Sequence, residues 1–177
     1  MQSASPAADT IAMDDQTLID DKLEKEAYIR IFGSIPLAQR GCFIDLCAGV
    51  GKALVYAIAN GFKKAKGVEI VKELVDRGNN RINASSSKII ACVTLSQGGL
   101  YNLEKAYFDE PGLVIWWGNP SPREEKRLWG WINESAVVLC GRLPKDCFVW
   151  LVARVVTGVP KTLAPGGTLY ALQKKVH

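Results

Sequence analysis

Four residues of this 177-residue chain have types and spacing that chemistry could use: Asp45, Gly49, Gly51 and Glu69. They lie in FIDLCAGVGKALVYAIANGFKKAKGVEI, residues 43–70. An apolar run ends on an acid and enters a turn bracketed by glycines. A second short apolar run ends on another acid, 24 residues after the first. Glycines in a turn that opens a helix let a ligand approach backbone N–H groups, because no Cβ stands in the way. The helix N-terminus adds a partial positive charge. An acid at the end of the second run can accept both hydroxyls of a ribose. The spacing fits strand, turn, helix and strand, which would bring the four residues to one crevice.

Two kinds of nucleoside cofactor use such a turn. A dinucleotide site wants G-x-G-x-x-G, with the pyrophosphate on the helix N-terminus. Here the run from Gly49 is G-V-G-K-A-L, and the third glycine is missing. Asp45 would also repel a pyrophosphate, whereas it would suit an ammonium group. S-adenosylmethionine carries an ammonium and a sulfonium and no phosphate, so it is the expected cofactor. An NAD-dependent enzyme is the weaker alternative. Lys52 is not a phosphate lysine of the G-x-x-x-x-G-K-[ST] type, since Ala53 follows it. Its head is expected in solvent, in the first helical turn.

The elements that must position these residues read as follows. Leu18, Leu23, Tyr28 and Ile31 lie among charges and predict an amphipathic helix over 16–31. CFIDL, AKGVEI and KIIACV read as buried strands. KALVYAIAN reads as a helix closed by Gly61. VKELVDRGNNRI places Val71, Leu74, Val75 and Ile82 on one helical stripe. GLVIWW (112–117) and SAVVLC (135–140) are further strands, separated by a turn and a charged helix. DCFVWLVARVVTGVPKTLA reads as a buried helix ending near Pro160, and GTLYAL as a last strand. Strands alternating with helices imply βαβ units, hence a single α/β domain: a Rossmann-like three-layer sandwich around a mostly parallel sheet. Residues 1–15 read as a disordered tail and 16–177 as the cofactor-binding domain.

Composition narrows the class. The chain is 48% hydrophobic and 23% charged, as in soluble globular proteins. A net charge of +4 permits an acidic or nucleic-acid partner without arguing for one. Lys63, Lys64 and Lys66 read as a solvated face. The five cysteines are odd in number and form no CxxC pair, which fits a reducing compartment, nuclear or cytoplasmic. The one histidine is His177, which removes a His-based metal site and a Ser-His-Asp triad. No run approaches the roughly 18 apolar residues of a membrane span.

DLCAGVG resembles the D-x-G-x-G-x-G motif of class I S-adenosylmethionine-dependent methyltransferases, with Cys47 where the first glycine is usual. Residues 42–76 are most similar to the non-SET histone lysine methyltransferases, the disruptor-of-telomeric-silencing family. The resemblance implies that Asp45, Cys47, Gly49 and Gly51 hold the amino-acid and sulfonium end of the cofactor, Glu69 its ribose, and Ile70 its adenine. It places Gly99 and Leu100 beside the adenine, with Gly99 where the family has an acid. It also implies a protein substrate, a histone lysine, and a nuclear setting. In layout, SAVVLCG, the long helix and LAPGGTLYAL are similar to the family's fourth strand, helix and fifth strand. A chain ending just after GTLYAL then lacks the final strand pair or is a fragment. A glycine position filled by Cys47 would strain the turn if it required positive φ. The family's tyrosine-glycine-glutamate segment has FGSIP, with Ser34, as its nearest counterpart, and LCGRLPK stands where an asparagine-rich lip is usual. These departures support the alternative of a non-catalytic scaffold with the same fold.

WWGNPSP (116–122) is similar to the N-P-P-[YF] loop of methyltransferases acting on planar amines, which makes Asn119 the catalytic candidate. If 112–117 is the fourth strand, Asn119 sits at the productive edge. If SAVVLC is the fourth strand, the segment is an insertion. A plain proline turn is the simpler reading. Trp116, Trp117, Trp129 and Trp131, with Lys126 and Arg127, could stack bases or cage a methyl-ammonium, but core packing is the commoner use of such residues.

Overall fold

Cys42–Asp45 forms β1, and all four of its residues are buried. A strand covered on both faces needs helices on both sides, and the rest of the fold provides them. The computed structural model describes residues 15–110, 112–116, 122–132, 136–140, 150–157, 159 and 168–174. The tail before Asp15, Asn119, the 141–149 segment and His177 lie outside the described residues.

The helices are α1 (Asp15–Gly33), α2 (Lys52–Ala59), α3 (Lys72–Asn83), α4 (Ser87–Cys92) and α5 (Pro122–Trp131). The remaining strands are β2 (Lys64–Glu69), β3 (Val93–Gln97), β4 (Gly112–Trp116), β5 (Val137–Cys140), β6 (Trp150–Val156) and β7 (Leu169–Lys174). They form one seven-stranded sheet in the order β3-β2-β1-β4-β5-β7-β6. The first five in that order run parallel, and β7 is antiparallel to both its neighbours. This is the expected Rossmann-like α/β sandwich.

One core unites α1 and α2 with the sheet through Phe32, Phe43, Leu54, Ile58, Phe62 and Ile115. The other lies on the opposite face, where Leu128, Trp129 and Ile132 cover Ile44, Val114 and Val138. Along α1, Ala27, Tyr28, Ile31 and Phe32 are buried while Lys25, Glu26 and Arg30 are exposed, the spacing of one helical face. Phe32 meets Phe43 and Phe62 edge-on, with ring centroids 5.1 and 5.3 Å apart. Such pairs add about 0.5–1.5 kcal/mol each beyond their buried area. Arg40 then bonds the carbonyls of Ile35 and Asn60 at 2.9 and 2.8 Å, tying the connection before β1 to the C-terminus of α2. Gly61, at φ +90°, ends that helix as expected.

Four expectations change. KIIACV is not a strand: Ser87–Cys92 is α4, and the strand begins at Val93, where pairing with Ala65 of β2 starts. Where a buried helix is expected, Trp150–Val156 is β6, paired antiparallel with β7. That pairing also corrects the fourth-and-fifth-strand layout. GLVIW is the strand beside β1, VVLC follows it, and β7 with β6 forms the strand pair thought to be missing. Val71 leaves the α3 stripe, since it precedes the helix and is exposed, while Val75 and Ile82 are buried.

No helix among the described residues is long and apolar enough to cross a membrane.

Candidate functional site

The glycine turn lies across the end of β2. Parallel pairing sets Asp45 beside Gly67, so Glu69 projects two residues further along the neighbouring strand. Ala48 N–H bonds the Val68 carbonyl at 3.0 Å, and Gly51 N–H bonds the Ala48 carbonyl at 2.8 Å. Gly49 and Gly51 have φ of +53° and +71°, a region that favours glycine. Cys47 is exposed, and no described non-glycine residue has positive φ. The strain expected at Cys47 is therefore absent, because the left-handed steps fall on Gly49 and Gly51.

Two glycines that the sequence reading passed over let the turn sit this low. A Cβ on Gly67 would come within 2.6 Å of Ala48 Cβ and 3.1 Å of Leu54 Cδ1. A Cβ on Gly78 of α3 would meet Leu95 and lie 3.0 Å from the Val50 carbonyl oxygen. An isolated glycine inside a strand or helix pattern is the signal for such close approach. Gly67→Ala is expected to lower stability by roughly 1–3 kcal/mol, read as a fall in melting temperature. An unchanged melting temperature would mean that the turn has room to lift.

Asp45 is 2% exposed, and its Oδ1 accepts the Cys47 N–H at 3.0 Å. Burial pushes its carboxyl up to about 7, opposed by the Cys47 N–H and aided by the negative Glu69. Glu69 holds the turn from the other side. Its Oε2 accepts the Gly49 N–H at 2.9 Å and its Oε1 the Val71 N–H at 2.9 Å. One carboxylate thus links the glycine turn to the residue that precedes α3.

Lys52 does not extend into solvent. Its ammonium lies 3.3 Å from Glu24 of α1, both side chains being mostly covered. The lysine trio divides: Lys64 pairs with Glu110 at 3.3 Å, Lys66 lies 4.7 Å above the Tyr107 ring, and Lys63 is exposed.

The β3 end completes the crevice. Gly98 N–H bonds the Glu69 carbonyl at 3.0 Å, which carries Gly99 and Leu100 alongside Ile70. Ile70 is 70% exposed, and its Cδ1 lies 3.8 Å from where a Cβ on Gly99 would stand. Asp45, Cys47, Gly49, Gly51, Glu69, Ile70, Gly99 and Leu100 are therefore gathered at the carboxyl ends of three adjacent strands. β4 ends at Trp116 beside β1, which selects the fourth-strand alternative for 112–117. Trp129 is buried and Trp131 lies 4.9 Å beneath the Arg127 guanidinium, so these two tryptophans serve packing. Among the described residues, no cluster of three or more His, Cys, Asp or Glu side chains could hold a metal ion.

Two carboxylates flanking open backbone, with Gly49 N–H already donated to one of them, make a poor seat for a phosphate. The same set suits a ligand that brings a cation and vicinal hydroxyls.

No protein-family model matches the chain, and no curated protein is significantly similar to it. Solved structures are similar in fold. A putative S-adenosyl-L-methionine-dependent methyltransferase from Methanococcus maripaludis superposes with a TM-score of 0.64 at 11% identity, over 100% of this chain and 98% of that one. An RNA methyltransferase from Salinibacter ruber, in complex with S-adenosyl-L-homocysteine, gives 0.53 at 16% identity, over 99% and 97%. The methyltransferase domain of bacterial CtHen1-C gives 0.54 at 16% identity, over 67% and 66%. The chain has the fold of class I S-adenosylmethionine-dependent methyltransferases. These likenesses extend to the fold and not to the histone lysine family.

Proposed function

We propose that this chain is an S-adenosylmethionine-dependent methyltransferase. The observation that carries the reading is the pair of strand-end acids, Asp45 and Glu69, on either side of a turn whose positive-φ residues are both glycine. Asp45 would hold the ammonium of the amino-acid end, Glu69 the ribose hydroxyls, and Ile70 a face of the adenine. The bound cofactor would supply a methyl group activated on a sulfonium. The protein's part is then to position a deprotonated acceptor in line and keep water out, and neither task requires a dedicated base. Asn119, placed after β4 in sequence, remains the candidate for contact with an acceptor nitrogen.

The resemblance of residues 42–76 supports a protein lysine as acceptor, in a nuclear protein that meets histones. The named RNA methyltransferase shares only the fold at 16% identity, so RNA is the comparison to run and not the leading acceptor. The scaffold alternative loses two of its grounds, since Cys47 imposes no left-handed backbone and β7 with β6 supplies a strand pair beyond β5.

Calorimetric titration with S-adenosylmethionine and, separately, S-adenosylhomocysteine tests the reading. Micromolar binding of both is expected. No heat and no thermal stabilisation by either would overturn it, and binding of NAD instead would move the chain to the dinucleotide enzymes. Methyl transfer from labelled cofactor to core histones, compared with total RNA, decides the acceptor. Cys47→Gly should leave cofactor affinity within about threefold and lower stability by roughly 0.5–1 kcal/mol. A gain of affinity beyond about tenfold (~1.4 kcal/mol) would mean that the thiol obstructs the turn.

A further inference from the structure

The ion pair between Lys52 and Glu24 has a place in the fold that stability alone does not explain. Lys52 is the first residue of α2 and directly follows Gly51. A cation at a helix N-terminus opposes the helix dipole. Lys52 nonetheless turns to Glu24 of α1 at 3.3 Å, with the two side chains only 24% and 30% exposed. α1 does not need the pair to stay attached, because Tyr28, Ile31 and Phe32 bury its later turns in the core.

The contacts between the two helices fix where the pair stands. Glu24 meets Lys52, Tyr28 meets Tyr56 with ring centroids 6.1 Å apart, and Phe32 meets Phe62 just past the far end of α2. Residue numbers rise together along both helices, so α1 runs in the same direction as α2. α2 begins at the glycine turn, at the carboxyl ends of the strands. The part of α1 before Glu24, residues 15–23, therefore continues past that turn by roughly 13 Å of helix. On the same face of the sheet, α3 packs on β2 and β3, and α4 lies against α2 and α3. That leaves α1 the flank of α2 toward β4. Its first turns stand beyond the β1–β4 end of the crevice, on the side where Asn119 follows β4 in sequence.

We infer that the Glu24–Lys52 pair is a latch between the glycine turn and the first turns of α1, through which a filled cofactor site holds α1 as a wall on the acceptor side. The inference rests on the proposed cofactor. Lys52 continues the backbone of the turn that would grip the cofactor, and Glu24 stands where α1 passes the end of α2. A ligand that fixes Gly49 and Gly51 therefore fixes Lys52, and through the pair it fixes the emerging end of α1. Glu24 and Lys52 are positioning residues, and neither needs to touch the ligand. Linkage makes the coupling reciprocal. The factor by which the cofactor suppresses opening of α1 is the factor by which opening of α1 weakens the cofactor.

Hydrogen exchange of the full chain, with and without saturating S-adenosylhomocysteine, reads the coupling. The amides of residues 19–23 lie past the unbonded first amides of the helix. In the wild type the ligand should slow their exchange roughly three- to tenfold. Glu24→Gln and Lys52→Met should each cut that slowing to under about twofold and weaken calorimetric affinity by no more than the wild-type factor. The exchanged pair, Glu24→Lys with Lys52→Glu, should restore the slowing, which a role in packing alone would not allow. Ligand-free melting curves check that each variant is folded. If the ligand slows residues 19–23 equally in the wild type and both single variants, the pair is an ordinary ion pair and the cofactor assignment stands without it. If the ligand binds the wild type and leaves residues 19–23 unchanged, α1 is not coupled to the site and the inference is overturned. If the ligand does not bind at all, the cofactor assignment fails and this inference fails with it.

Discussion

Asp45→Asn should raise the melting temperature of the ligand-free protein at pH 8 and sharply weaken its affinity for S-adenosylmethionine. Both effects follow from one buried carboxyl. Desolvation lifts the Asp45 carboxyl well above its ordinary value, to about 7, with the Cys47 N–H opposing and the charge of Glu69 reinforcing the rise. For an acid whose folded pKa is raised, the folded state binds the extra proton. Stability is then greatest below the unfolded value, falls as pH rises from about 4 to 7, and carries the full penalty at pH 8. Asparagine keeps an acceptor for the Cys47 N–H and removes the charge. The expected gain at pH 8 is on the order of 1–3 kcal/mol, and it should vanish near pH 4. The same charge is what an ammonium group would neutralise, so its removal should weaken binding by roughly 2–5 kcal/mol, ~30-fold or more. Cofactor affinity of the wild type should fall below pH 7, by up to about tenfold per unit, and the variant should lack that dependence. Melting curves and titrations at pH 5.5 and 8 read all of these. If Asp45→Asn binds the cofactor as tightly as the wild type, Asp45 is a structural acid that only organises the turn.

The part of the fold that builds the crevice was legible because local chemistry and global placement agree there. FIDL is short, apolar and bounded by a turn, and Gly49 and Gly51 occupy the positions whose φ is positive. Strand-end acids at the spacing of one βαβ unit then fall side by side through parallel pairing alone. The C-terminal half was harder to read for a physical reason. FVWLVARVV is apolar except for Arg154, and periodicity cannot separate a buried strand from a buried helix in such a run. Its valines at 149, 152, 155 and 156 favoured a strand, but the deciding interaction is with LYALQK, which follows about a dozen or more residues later. KIIACV failed differently. Ile89 and Ile90 suggested a strand, while the alternation that marks β3, with Val93 and Leu95 buried and Thr94 and Ser96 exposed, begins only after them.

Glu69→Gln should prove nearly as damaging as Glu69→Ala, although it preserves size and shape. Both carboxylate oxygens of Glu69 accept backbone N–H groups, from Gly49 on one side and Val71 on the other. A glutamine has one acceptor oxygen, so its NH2 must face one of those N–H groups, donor against donor. Either the turn or the start of α3 is then released. Both variants also lose the charge that would strengthen bonds to the ribose hydroxyls. Cofactor affinity should fall by roughly 1–3 kcal/mol in each, about 5- to 150-fold. The ligand-free melting temperature should fall as well, because two N–H groups near the chain crossing lose or share their acceptor. Glu69→Asp gives the contrast: it keeps both oxygens but is one methylene shorter, so it cannot span Gly49 and Val71 at 2.9 Å each. It should recover charge-dependent binding in part and turn stability hardly at all. Calorimetry and melting curves on the three variants separate the two roles. If all three bind S-adenosylhomocysteine like the wild type while melting lower, Glu69 braces the turn and the ribose lies elsewhere.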